Sequence, residues 1–183
     1  MKQTMKMQYL LILGIFFMCP LIGRADDGLT APLQASLVHP AQLYPDNYSV
    51  NGLSLNFLYG VNEDLRGVDL GIINDINNDA YGLQIGAVNR VGHFFEGVQL
   101  GMVNLVDNDF KGLQLAALVN VTKSVSGGFQ FAVFYNDAEE TMHGLQFGLV
   151  NHAGVLDGIQ IGLLNYDEDT KRLGFLPFIH ATF

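Results

Sequence analysis

Hydrophobic and polar positions in this chain repeat one short pattern. A glycine opens it, apolar and polar residues alternate, and two apolar residues lead into an asparagine. The pattern is clearest in Gly67-Val68-Asp69-Leu70-Gly71-Ile72-Ile73-Asn74, Gly82-Leu83-Gln84-Ile85-Gly86-Ala87-Val88-Asn89 and Gly97-Val98-Gln99-Leu100-Gly101-Met102-Val103-Asn104. Looser copies start at Gly112 and Gly128, clean ones return at Gly144 and Gly158, and a degenerate one opens the series at Gly52-Leu53-Ser54-Leu55. The leading glycines are 15, 15, 15, 15, 16, 16 and 14 residues apart. Within a copy the alternation predicts a strand, with Val98, Leu100 and Met102 on one side and Gly97, Gln99, Gly101 and Val103 on the other. Two glycines in eight residues also oppose a helix, at about 1 kcal/mol each relative to alanine. A fixed short period means one β unit set against its neighbours, each too small to bury a face alone.

Two all-β architectures satisfy this pattern. The first is a parallel β-solenoid with one coil of roughly 15 residues per repeat, stacking like residues about 4.8 Å apart. Gln84, Gln99, Gln114, Gln130, Gln146 and Gln160 then form one amide ladder. Asn74, Asn89, Asn104, Asn151 and Asn165 form another at a corner, where asparagine tolerates left-handed backbone, and the glycines serve tight bends. The second is an antiparallel barrel of about ten strands, an even number of the outer-membrane kind. The last segment favours it, because Phe175, Pro177, Ile179, Ala181 and Phe183 share one parity and finish on an aromatic residue. A spanning strand, however, needs about 9–11 residues. The outward apolar set is only three residues deep, bounded for example by Glu96 and Asn104, and the linkers are alike on both sides. The solenoid is therefore the expected fold. The copies at Gly112 and Gly128 depart from the pattern, with Ala116 and Ala132 for the second glycine and Asn120 and Asn136 one residue late, so a strict coil is not expected there.

The remaining chain divides simply. Residues 1–25 read as a signal peptide, with Lys2 and Lys6 before a mostly apolar run and Gly23-Arg24-Ala25 as a small-x-small cleavage site. Residues 26–51 are a proline-punctuated lead-in with one strand-like stretch at Gln34–Val38, residues 52–165 hold the repeats, and 166–183 form a C-terminal capping or closing strand. No flexible linker divides residues 26–183, which reads as one domain. The full chain carries a net charge of −9; removing the leader leaves six basic residues against eighteen acidic ones. Such a surface repels nucleic acid and anionic lipid. The single cysteine, Cys19, lies inside the leader, so no disulfide framework is expected in the exported part.

The recurring Gly-Leu-Gln-Ile-Gly-x-Val-Asn, with the Leu58-Tyr59-Gly60-Val61-Asn62 entry and the Phe175-Leu176-Pro177-Phe178 exit, resembles a group of bacterial exported or surface repeat proteins over about residues 48–183. The resemblance implies an exported location at the cell surface, in the periplasm or at the outer membrane. It implies no activity.

Chemistry is thinly represented. The acidic turns Asn74–Asp79, Asp107-Asn108-Asp109 and Asp167-Glu168-Asp169 offer hard oxygen ligands, yet match neither the twelve-residue calcium loop nor the glycine-rich calcium nonapeptide, and read as solvated turns. His39, His93, His143, His152 and His180 show no paired metal-ligand spacing, and stacking is not expected to cluster them. No nucleophile elbow or phosphate loop is present in the sequence. The expectation is a non-enzymatic structural or adhesive module without cofactor or metal. Its ladder faces would be the contact surface for an unknown surface or protein partner, with the outer membrane as a possible associate.

Overall fold

The computed structural model describes residues 29–169 and 175–183. The expected signal peptide lies outside the described residues. Within them every regular element is a strand: β1 (Thr30–Val38), β2 (Ala41–Gln42), β3 (Ser49–Asn62), β4 (Leu65–Ile76), β5 (Ala80–Ile85), β6 (Val88–Val91), β7 (Phe95–Val106), β8 (Phe110–Thr122), β9 (Val125–Ala132), β10 (Tyr135–Phe147), β11 (Val150–Asp167) and β12 (Phe175–Thr182). From β3 to β11 each strand pairs in parallel with the strand one coil away. The register sets like on like: Gly82 faces Gly97, Gln84 faces Gln99 and Asn89 faces Asn104. The chain is a parallel β-solenoid. Parallel register between successive repeats overturns the antiparallel barrel, whose strands alternate in direction.

The lengthened repeats depart from a strict coil by a bulge, yet stay in register. Gly101 faces Ala116 and Val103 faces Val119, so the extra residue is absorbed as a bulge between them. Gln114 still faces Gln130, and Ala116 faces Ala132. The shorter spacing before Gly158 is absorbed between the Ala138–Ala153 and Thr141–Val155 pairs. Both ends change direction. β2 folds back antiparallel on β1, and β12 runs antiparallel along β11, covering the edge of the last coil.

The leading glycines have a double reason. Gly97 sits at φ +147°, a conformation L side chains rarely adopt, and a Cβ there would collide with the carbonyl oxygen of Gly82 one coil below. Stacked glycines thus let the coils approach at a bend.

The interior has two halves. Hydrocarbon fills one, where Val50, Leu65, Ala80, Phe95 and Phe110 lie in register opposite a row formed by Ile76, Val91 and Val106. The rings of Phe95 and Phe110 stack with centroids 6.0 Å apart and planes 5° from parallel. A second apolar cluster, Ala138, Met142, Ala153 and Leu156, continues it beyond Thr122 and Ser126. The other half of the interior is polar.

Candidate functional site

The sequence-predicted ladder residues line that polar half. Gln84, Gln99, Gln114, Gln130, Gln146 and Gln160 are fully buried, as are Asn74, Asn89, Asn104, Asn151 and Asn165. Each glutamine from Gln99 onward donates from Nε2 to Oε1 of the glutamine one coil before it, at 2.8 Å. The asparagines donate the other way. Asn74 Nδ2 reaches Asn89 Oδ1 at 2.8 Å, and the chain of bonds runs through Asn104, Asn120, Asn136 and Asn151 to Asn165. The second Nδ2 hydrogen of each is used as well: Asn89 donates to the carbonyl of Leu100 at 3.0 Å, tying down the corner of the next coil. Asn120 and Asn136, one residue late in sequence, still occupy the ladder.

Two further members, at the head of the ladders, escaped the sequence reading. The glutamine ladder begins at Asp69, which accepts from Gln84 Nε2 at 3.3 Å. The asparagine ladder begins at Asn56, which donates to Asp69 Oδ1 at 2.8 Å and to Asn74 Oδ1 at 2.9 Å. Asn56 stands at the second-glycine position of its repeat, facing Gly71, while Gly60 stands at the asparagine position, facing Asn74. The two residue types have changed places: a Cβ on Gly60 would overlap the Asn56 amide that fills the slot. The signal was Asn56 with Gly60, the repeat's glycine and asparagine interchanged. Beyond Asp69 the polar interior continues through Ser54 and Asn62 to Gln34.

Asp69 orients both ladders. An ionised carboxylate only accepts, so Gln84 and Asn56 must turn their NH2 groups toward it. Gln84 Oε1 is then left to accept from Gln99, and the polarity passes to Gln160. Asn56 hands its remaining N–H to Asn74, and that polarity passes to Asn165. The far ends differ. Asn165 Nδ2 donates to the carbonyl of Leu176 in β12 at 3.1 Å. Gln160 Oε1 and Nδ1 of its register partner His180 are buried without a hydrogen-bond partner among the described residues. Burial pushes the Asp69 carboxyl up to about 6, against the opposing pull of its hydrogen-bond donors.

This burial corrects one expectation. Amide ladders fully enclosed by the coils cannot serve as the contact surface. What the repeats present outward is hydrocarbon. Between each leading glycine and its asparagine, from Gly67 to Asn165, the one charged residue is the inward Asp69. The outward side chains are half-buried or exposed, with Ile72 at 48%, Met102 at 48%, Phe134 at 52% and Leu163 at 54%. Phe131 and Phe147 stack on this outside with centroids 5.5 Å apart.

Charge is confined to the other half of each coil. Arg90 lies between Asp75 and Asp107, at 2.9 and 2.5 Å, and Lys123 reaches Asp107 at 2.6 Å. The acidic turns are engaged internally: Asp64, Asp79 and Asp109 each accept a backbone N–H from the next coil at 3.1 Å. The five histidines do not converge, but each approaches a carboxylate. His93 is 2.7 Å from Asp79, His143 is 2.9 Å from Asp157, and His152 lies between Asp137 (2.6 Å) and Glu168 (3.3 Å). His39 and His180 stand 3.8 and 3.9 Å from Asp46 and Asp167. The hydrogen bond to Asp137 raises the His152 imidazole above its ordinary range, against the opposing effect of burial. No three or more potential metal-ligating side chains gather among the described residues. No protein-family model, curated protein or solved structure matches the chain.

Proposed function

We propose that this protein is an exported, non-enzymatic β-repeat module of the bacterial surface that works by contact, through the hydrocarbon face of its coils. One observation carries this reading. The solenoid puts its amides inside and its aliphatic rows outside, and a monomer rarely exposes so large a continuous apolar patch without an interaction to cover it. The leader-like residues 1–25 and the resemblance to bacterial surface repeat proteins support export.

Cell fractionation with surface proteolysis tests the location; retention of the chain in the cytoplasm overturns it. Contact through the face is tested with Phe147→Asp and Leu149→Asp, at side chains 44% and 46% exposed on the coil exterior. Each should lower assembly or retention at the cell envelope at least tenfold while leaving the β-sheet circular dichroism unchanged. Glu139→Gln with Glu140→Gln, two exposed residues on the charged side, should leave retention as it was. The reverse pattern excludes the apolar face as the working surface.

A further inference from the structure

We propose that the partner of the apolar face is a second copy of this chain, seated face to face with the two solenoid axes antiparallel. The proposal rests on the contact reading above and names its occupant.

Size comes first. The eight leading glycines that stack in register mark a face eight coils long. At ~4.8 Å per coil it is about 38 Å long. Six strand positions across, at ~3.3 Å each, make it about 20 Å wide. The product, roughly 750 Å², approaches the ~800 Å² per partner of a standard stable interface. Sheets pack about 10 Å apart, and side chains repeating at the coil spacing match the same spacing in another copy.

Charge selects the same occupant. A chain with 18 acidic and 9 basic residues opposes self-association unless the acids stay remote. In a face-to-face pair the acidic turns lie on the two outer sides, away from the interface, and the rim residues Arg66, Glu96, Lys111 and Asp157 balance in charge. A lipid surface is engaged by apolar faces rimmed with basic residues. The residues directly before the leading glycines set Arg66 and Lys111 against Glu96 and Asp157, with Lys111 paired to Glu96 at 3.0 Å, so the rim of this face carries no basic excess.

Side-chain volume selects the orientation. An isologous pair obeys a two-fold axis. With that axis in the plane of the interface and perpendicular to the solenoid axes, the third coil of one copy meets the sixth coil of the other. The third is the smallest, carrying Ile85, Ala87 and Val88; the sixth is the bulkiest, carrying Phe129, Phe131 and Phe134. Bulk lies over small side chains at both ends. A parallel pair would set the aromatic coil against itself.

The test is sedimentation equilibrium of the purified chain without detergent, with cross-linking in a Cys19→Ser background. The expected mass is twice that of one chain. Met102→Asp and Phe134→Asp, both at exposed positions, should weaken the dimer at least tenfold with circular dichroism unchanged. A mixture of Ala87→Cys chains and Val133→Cys chains should cross-link to each other through a short bis-maleimide, while neither cross-links to itself. That arm decides the question if the aspartate variants fail to fold. Self-cross-linking at Ala87 overturns the antiparallel arrangement. A folded wild-type monomer at all concentrations overturns the dimer. If that monomer floats with phosphatidylcholine vesicles or binds cell envelopes, the contact reading survives with another partner; if it does neither, both readings fall.

Discussion

The two halves of the solenoid core obey different rules. In the amide half, residue identity recurs at every rung: Gln84, Gln99, Gln114, Gln130, Gln146 and Gln160 are all fully buried and bonded in series. In the hydrocarbon half, a single row reads Leu65, Ala80, Phe95, Phe110, Ser126 and Met142. A hydrogen-bonded ladder needs a donor and an acceptor at fixed places on each rung, so any change of type orphans two neighbours. Dispersion needs only filled volume, and a small residue in one row is offset by its neighbours. Direction demands identity, whereas packing demands a sum.

The largest expected effect separates these rules directly. Gln114→Leu keeps roughly the side-chain volume and adds hydrocarbon, yet leaves Gln99 Oε1 without its donor and removes the acceptor Gln130 uses at 2.8 Å. We expect a loss of about 4 kcal/mol, since each buried polar group left unpaired costs ~1–3 kcal/mol beyond the lost bond. Phe110→Leu, in the hydrocarbon half, should cost only ~1–1.5 kcal/mol. Urea denaturation of both variants gives the comparison. Equal losses would mean that the amide ladder is packing with polar decoration.

The same contrast explains what the sequence made legible. The period, the strand character, the solenoid and the glutamine positions follow from repeated identity, which a single chain displays. The hydrocarbon half does not repeat by type, and nothing in Ala80, Phe95 and Ser126 marks them as one row. The swap of Asn56 with Gly60 hid a ladder member because it preserves geometry while breaking the consensus. Asn120 and Asn136 were obscured by one inserted residue, absorbed as a bulge at the corner. The inward or outward sense of the ladders was the hardest to read. Alternation assigns two faces, and the habit of placing hydrocarbon inside points the wrong way for Leu, Ile and Val beside a buried glutamine.

Next in size is the charge that starts the ladders. Asp69 has its carboxyl pushed up to about 6 from an ordinary 3.8 by burial. A carboxyl raised on folding destabilises the fold when ionised, so stability is lower above pH 6 and is regained as pH falls toward 3.8. The span is on the order of 3 kcal/mol, at ~1.36 kcal/mol for each tenfold gain in proton affinity. Asp69→Asn should remove that slope between pH 7 and pH 4. It also places an NH2 where Asn56 and Gln84 both donate, so its pH-4 stability should fall below that of wild type. Denaturation at both pH values reads the two effects separately; an unchanged slope would move the titration elsewhere.

A smaller effect tests the repeat's second glycine. A Cβ on Gly101 would lie 2.8 Å from the Gly86 carbonyl oxygen and 2.9 Å from the amides of Asn89 and Asn104. In the lengthened repeats the asparagine comes one residue later, and Ala116 fits with 3% exposure. Gly101→Ala should therefore cost about 2 kcal/mol through overpacking against the ladder. Ala116→Gly should cost ~0.5–1 kcal/mol, the usual entropy difference. Thermal melts showing Gly101→Ala to be stabilising would mean that the asparagine ladder does not press on this position.

The smallest expected effect belongs to the charged outer half. His152 bonds Asp137 at 2.6 Å and Glu168 at 3.3 Å, stacks on Tyr166 with centroids 5.4 Å apart, and has a raised imidazole. A histidine raised on folding stabilises the fold when protonated. Its contribution is complete below the unfolded value near 6.5 and is lost as pH rises through the higher folded value. Because the pair is partly solvated, the contribution should stay below about 1 kcal/mol. His152→Gln should flatten stability between pH 7 and pH 8, where Asp69 is already largely ionised, and leave the Asp69-dependent slope below pH 6 intact. The two slopes add to one acid-favouring trend in the wild type, so only the paired variants assign it. If His152→Gln removed the slope below pH 6 as well, the buried and solvent-facing charges would be coupled through the coil wall, and the separation between an interior held by direction and a surface held by weak pairs would fail.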